Sequence, residues 1–126
     1  MKKSIHPGGA PKDPTPFTPA VEANGFVFIS GQIASERGTN RIYNDNITLE
    51  MTKVMENIGA VLAAAGLGFD DLVKCTIYLT NLQYYAEASR VYLSYFKGDA
   101  PARETVCIKE LPRGANVEIS GIACRG

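Results

Sequence analysis

Four polar side chains lie in stretches that read as β-strands. They are Arg103 and Cys107 in "APARETVCI", Glu118 in "NVEISGIAC", and Ser30, just ahead of Gly31, in "FVFISGQIA". Strand alternation puts Arg103, Thr105 and Cys107 on one face and Glu104, Val106 and Ile108 on the other. Glu104, the nearest acid in sequence, therefore points away from Arg103. An arginine with no local acid at a strand mouth suits a planar carboxylate ligand, which it can grip through two N–H groups. The bland reading of such an arginine is a surface ion pair. Glu118 alternates with Val117 and Ile119. It is either a carboxylate that handles a proton or the solvent side of an edge strand. Ser30 with Gly31 could offer a hydroxyl and backbone groups to a ligand, although a strand serine is more often structural. Cys107 reads as a small buried hydrophobe.

Other chemistry finds little support. His6 is the single histidine and falls in a proline-rich lead-in. Histidine catalysis and metal sites therefore lack residues, and neither metal nor cofactor is expected. No phosphate-cradling loop of the Walker or dinucleotide type is present. Thirteen basic residues balance thirteen acidic ones, which gives no electrostatic case for nucleic acid or an anionic membrane. The Lys2–Lys3 pair and the Arg37/Arg41 loop are too sparse for a phosphate-tracking stripe. Cys75, Cys107 and Cys124 are odd in number and form no C-x-x-C pair, arguing for a reducing compartment and against disulfides and zinc. No apolar leader follows Lys2–Lys3, and no run approaches membrane-spanning length. A cytoplasmic protein is expected.

The elements that must position these groups follow from patterning. The chain has 126 residues, 45% hydrophobic and 21% charged, which fits one domain with a modest core. Self-association is a common remedy for so small a core. Residues 1–19 carry five of the seven prolines and read as an extended lead-in with few ladder bonds. Asn24–Gly25 is a hairpin signal between strands over 20–23 and 26–33. The glycine at 31 suggests a bulge or a close backbone approach. Residues 35–45 are polar loop with a possible short strand at Arg41–Tyr43.

Ile47, Met51, Val54, Met55, Ile58, Val61, Leu62 and Ala65 repeat at three and four, predicting a helix over 47–65. Asn46 can cap it and Gly66 can end it in the left-handed conformation. Glu50, Lys53, Glu56 and Asn57 are assigned to its outer surface. A strand over 72–80 and a second helix over 84–96 follow. The helix is closed by Gly98, and its tyrosines at 84, 85, 92 and 95 pack it against the sheet. Strands over 103–110 and 116–124 flank the turn "LPRGAN". The order β-β-α-β-α-β-β predicts one α/β domain, more strictly α+β, over 1–126, with two helices on one face of a mixed sheet.

Taken together, "FVFISGQIA", "ENIGAVLAAAGLGFDDLVKCTIYLTNL", "APARETV" and "VEISGIA" resemble the RidA (YjgF, reactive intermediate deaminase) family, also labelled endoribonuclease L-PSP. The match runs from about Pro16 to Ala123, and its specificity lies in four motifs in the right order. The resemblance implies a chorismate-mutase-like fold and a homotrimer with active sites in clefts between subunits. It also implies hydrolysis of 2-imino acids, or their enamine tautomers, to 2-oxo acids and ammonia. Residue by residue, it makes Arg103 the clamp on the substrate carboxylate and Glu118 the group that positions or deprotonates water. Ser30 and Gly31 match the serine–glycine beside the pocket, and Thr105 falls where the backbone lines it. Phe17 stands where the family often has tyrosine, Ser89 where it often has asparagine, and Thr105 where some members have cysteine. Ser120 replaces a second glutamate. The changes at 17 and 89 remove polar atoms from the implied pocket, which predicts a relative preference for longer apolar imino acids.

Two other functions compete. The same cleft could hold a metabolite or regulate a partner without catalysis; retention of Glu118 beside Arg103 favours the enzyme, because binding alone needs only the arginine. The ribonuclease or translation-inhibitor label of some family members fits poorly with a neutral charge and a single histidine.

Overall fold

The computed structural model describes residues 1–9 and 15–126; Pro11 and Pro14 of the lead-in lie outside the described residues. In chain order the elements are β1 (Lys3–Ile5), β2 (Ala20–Ala23), β3 (Phe26–Gln32), α1 (Ile47–Ala64), β4 (Leu72–Leu79), α2 (Tyr85–Leu93), β5 (Ala102–Cys107) and β6 (Val117–Cys124). Short 3-10 turns occupy Phe69–Asp71, Leu82–Tyr84 and Pro112–Gly114.

Local chemistry accounts for most boundaries. Asn24 and Gly25 turn β2 into β3 with φ of 53° and 80°, the two left-handed residues of a type I′ hairpin. The Asn46 side chain accepts a hydrogen bond from the Leu49 amide at 3.1 Å, and Gly66 takes φ 75° just beyond α1, as a left-handed stop requires. The second helix is shorter than its periodicity predicts. Asn81 caps a 3-10 turn ahead of it. Behind it, Ser94 Oγ donates to the Val91 carbonyl at 2.6 Å, and tighter i→i+3 bonds run to Phe96. The helix thus stops at Leu93, well before Gly98. The short strand expected at Arg41–Tyr43 reduces to a single bridge between Ser35 and Ile42.

Part of the lead-in is a strand, contrary to the expectation of a segment with few ladder bonds. β1 pairs antiparallel with β2, Ile5 opposite Ala20. The prolines begin only at Pro7, and the Ile5 side chain is buried in the core; apolar burial recruits three residues that proline does not interrupt.

Among the described residues the sheet has six strands, in the order β1-β2-β3-β6-β4-β5. Only the β4–β5 pair is parallel, and α2 supplies the crossover such a pair needs. The fold is α+β, a mixed sheet with both helices on one face. Val27 and Ile29 of β3, Cys75, Ile77 and Leu79 of β4, and Val117, Ile119 and Ala123 of β6 pack beneath Met51, Val54, Met55, Ile58 and Leu62 of α1. Among the described residues nothing covers the other face: Phe26, Phe28 and Val106 are 41%, 46% and 40% exposed. Glu50 overturns its surface assignment. It is fully buried, because its carboxyl oxygens accept the Asn116 amide at 2.7 Å, Asn116 Nδ2 at 2.9 Å and the Val117 amide at 3.3 Å. Among the described residues no helix is long and apolar enough to cross a membrane.

Candidate functional site

β5 is an edge strand whose partner β4 sets Arg103 opposite Cys75 and Thr105 opposite Ile77. Cross-strand partners share a face, and Cys75 and Ile77 are buried beneath the helices. Arg103 and Thr105 therefore point to the helix side, where α2 meets them. Arg103 Nε donates to Thr105 Oγ1 at 2.9 Å, and Nη2 donates to Ser89 Oγ at 2.7 Å. The guanidinium carbon lies 5.3 Å from the Tyr85 ring centre and 5.0 Å from that of Tyr92, both within cation–π range. Among the described residues no carboxylate reaches Arg103. Glu104 faces the other way, as alternation predicts, and pairs with Lys74 at 3.2 Å.

Beneath Arg103, the buried Tyr92 hydroxyl has no hydrogen-bond partner among the described residues. The Cys75 thiol lies beside it, in a contact that falls short of a hydrogen bond. Burial, with the neighbouring thiol, pushes Tyr92 up in pKa, and burial pushes the Cys75 thiol up. Both groups stay neutral and form an uncharged floor to the arginine. Tyr85 departs from its assigned packing role: it is half-exposed, flanking the guanidinium instead. Cys107 departs from its reading as a buried hydrophobe. It is exposed at the end of the edge strand, and Cys75 is the buried cysteine.

Glu118 belongs to β6, a central strand between β3 and β4. It pairs with Tyr78, and Ser120 with Thr76; these residues face the open side. Its neighbour is Gly31. The β3–β6 register slips between Ile29 and Gln32, so the bulge and the close approach expected from the glycine occur together. A Cβ built at Gly31 would stand 2.7 Å from Glu118 Cδ, closer than atoms tolerate. The missing side chain is the space the carboxylate occupies. No cation or hydrogen-bond donor among the described residues meets Glu118, and burial alone raises its pKa. A carboxylate shifted this way binds a proton more readily, which suits it to accept one from water.

Ser30 spends its hydroxyl within the chain, donating to the Thr18 carbonyl at 2.5 Å, while its amide donates to the Pro19 carbonyl at 2.9 Å. It ties the lead-in to the bulge. Phe17, half-exposed, helps wall a cleft of about 440 Å³ with His6, Pro7, Pro19, Gln32 and Arg37. Neither Arg103 nor Glu118 lines that cleft.

The predicted residues thus fall into groups. Arg103, Thr105 and Ser89 meet on the helix side; Gly31 and Glu118 meet on the open side; Ser30 and Phe17 lie along the lead-in. One chain does not bring Arg103 and Glu118 together. They project from opposite faces, and their partners on β4, Cys75 and Tyr78, are three positions apart, roughly 10 Å of strand. Sequence reasoning missed Tyr85 and Tyr92 as neighbours of the arginine. Their spacing on α2 was visible, but nothing local says that α2 crosses β5 at Arg103. Among the described residues no group of three or more His, Cys, Asp or Glu side chains could hold a metal ion.

Comparison with known proteins adds context. The family model described as Endoribonuclease L-PSP matches residues 8–125. Protein DfrA of Myxococcus xanthus is 44% identical over 97% of this chain and 95% of its own. A mouse protein named 2-iminobutanoate/2-iminopropanoate deaminase is 32% identical over 100% of this chain and 93% of its own. The crystal structure of Escherichia coli TdcF with bound serine superposes with a TM-score of 0.89 at 31% identity, covering 98% of this chain and 99% of that one.

Proposed function

Given that this chain belongs to the endoribonuclease L-PSP family, in its RidA/RutC group, we propose that it is a deaminase that hydrolyses 2-imino acids, or their enamine tautomers, to 2-oxo acids and ammonia. The observation that carries the reading is a double vacancy of partners. Among the described residues Arg103 is held by hydroxyls and rings but meets no carboxylate, and Glu118 is part-buried with no cation. A substrate with a carboxylate at one end and an electrophilic C=N carbon beside it satisfies the first and uses the second.

Arg103 takes the substrate carboxylate through paired N–H donors, which fixes the plane of the adjoining imine. Glu118 accepts a proton from water as its oxygen bonds to the imine carbon. Glu118 returns that proton to nitrogen, and the tetrahedral intermediate then expels ammonia as its hydroxyl proton also passes to nitrogen and the C=O bond forms. No electrons leave the system, and water is the only co-reactant.

The opposite-facing placement of the two residues supports a site of two chains, Arg103 from one copy and Glu118 from the next, within a homotrimer. The uncovered sheet face with Phe26, Phe28 and Val106 supports that assembly, since apolar area of this kind is normally buried. The mouse relative's name supports the chemistry, and the serine bound to TdcF supports a small α-carboxylate ligand. The test is to generate 2-iminobutanoate in situ and follow its disappearance with and without the protein. A rate no faster than the spontaneous one removes the activity. Sedimentation showing a monomer at micromolar concentration removes the shared site.

A further inference from the structure

Arg103 stands at the start of β5 with its donors already divided. The planar guanidinium has five N–H groups on two usable edges. Nε and Nη2 form one edge, and that edge is occupied by Thr105 Oγ1 and Ser89 Oγ. The other edge runs between Nη1 and Nη2, and among the described residues Nη1 has no acceptor. Tyr92, whose ring packs in the core, and Tyr85 at the surface limit how far the plane can turn. A long side chain normally loses its rotamer freedom when a ligand fixes it; here that loss has occurred on folding.

We propose that Thr105 and Ser89 are positioning residues that pin the Nε–Nη2 edge of Arg103 to the protein, so that a ligand meets the Nη1–Nη2 edge. The ligand class is then a planar carboxylate gripped end-on by two nitrogens. The inference rests on the reading of Arg103 as a carboxylate anchor. It changes the roles of the two neighbours: their hydroxyls act on the arginine and reach the ligand only through it. Removing them leaves the cation in place but lets it turn and offer either edge.

Two measurements separate the claim from the reading beneath it. The first needs no ligand. The Arg103 Nε–H signal, identified by its loss in Arg103→Lys, should exchange slowly with solvent in the wild type and at least about tenfold faster in Thr105→Val, with Thr105→Ser restoring protection. Equal exchange in wild type and Thr105→Val overturns the pinned edge. The second is titration with 2-oxobutanoate. The Thr105→Val, Ser89→Ala double variant should bind it about tenfold more weakly, while Thr105→Ser with Ser89→Thr stays within about twofold of wild type; each tenfold is 1.4 kcal/mol. Unchanged affinity in the Val/Ala pair, with Arg103→Ala losing binding, overturns the positioning role. If wild type does not bind 2-oxobutanoate, or Arg103→Ala binds it equally well, the anchor reading and the ligand class fall together, while the exchange rates still decide the pinned edge. Thermal melts of each variant exclude loss of fold as the cause.

Discussion

Two glutamates act on neighbouring stretches of β6 and could hardly be treated more differently. Glu50 comes from the first turn of α1, is fully buried, and accepts three N–H groups from Asn116 and Val117. Glu118 stands just beyond, part-buried, in the gap left by Gly31, with nothing among the described residues to balance it. The first is a clamp that fixes where β6 begins. The second is held by shape alone and retains all its acceptor capacity. Depth of burial therefore does not mark the reactive carboxylate; the missing partner does. A buried polar group is normally satisfied, and one left unsatisfied costs stability that a purely structural residue has no reason to forgo.

The contrast can be broken by substitution, and the largest effect is expected at Glu118. Glu118→Gln keeps the shape and cannot accept a proton. It should lower kcat for 2-iminobutanoate by about 100- to 10,000-fold while changing 2-oxobutanoate affinity far less. Equal losses would make Glu118 a binding residue. The same variant should gain stability. Burial raises the folded-state pKa of Glu118, so its contribution is fully favourable below the ordinary carboxylate range and is lost as pH rises through the raised value. Glu118→Gln should melt above wild type at pH 7 and converge with it below about pH 4. A melting curve at pH 7 lower than wild type contradicts this.

Arg103→Ala comes next, with an expected loss of about 2–4 kcal/mol of transition-state binding, or roughly 30- to 1000-fold in kcat/KM, and an intact fold by circular dichroism. Arg103→Lys should be nearly as poor, because it keeps the charge and loses the fork. An alanine variant retaining half the activity would remove Arg103 as the anchor.

Glu50 should behave in the opposite way. Glu50→Ala strands buried donors and should cost about 2–4 kcal/mol of folding stability, read from the denaturant midpoint. Glu50→Gln should cost less, because the amide oxygen can still accept the Asn116 and Val117 backbone N–H groups and only the Asn116 side-chain contact is lost. Near-wild-type stability of the alanine variant would show that the clamp is dispensable. Gly31→Ala sharpens the comparison. The three atoms nearest the new methyl all belong to the Glu118 side chain, so the carboxylate is the group that must move. Turnover should fall about tenfold with a stability change under about 1 kcal/mol; a large stability loss with activity retained would contradict the shape argument.

The smallest effect concerns substrate range. In the Phe17→Tyr, Ser89→Asn double variant, the kcat/KM ratio of the leucine-derived imine to 2-iminopropanoate should fall by about fourfold, near the value of one buried methylene. An unchanged or higher ratio would show that these positions do not set the preference.

Much of the architecture was legible from short-range chemistry. The Asn24–Gly25 turn, the Asn46 cap, the Gly66 stop, the α1 stripe and the opposed directions of Arg103 and Glu104 depend on dihedral freedom, capping and alternation, which act over a few residues and are written in them. Glu50 was half legible. It lies three residues from Ile47 and four from Val54, in phase with the apolar stripe, so its position pointed inward even as its charge pointed out. Glu118 and Gly31 were each conspicuous, but their contact depends on a register slip between β3 and β6 that no local pattern encodes.

Left to itself, then, the sequence determined the element order, the faces of each strand and the identity of the candidate residues, because those follow from periods of two and 3.6. Only the tertiary structure decided which of them meet. Strand order 1-2-3-6-4-5 brings α2 across Arg103, sets Glu50 against Asn116, and sends Arg103 and Glu118 to opposite sides of one sheet. Such contacts join residues far apart in the chain, and their geometry is fixed by how the core packs, a sum over many side chains that no single stretch contains.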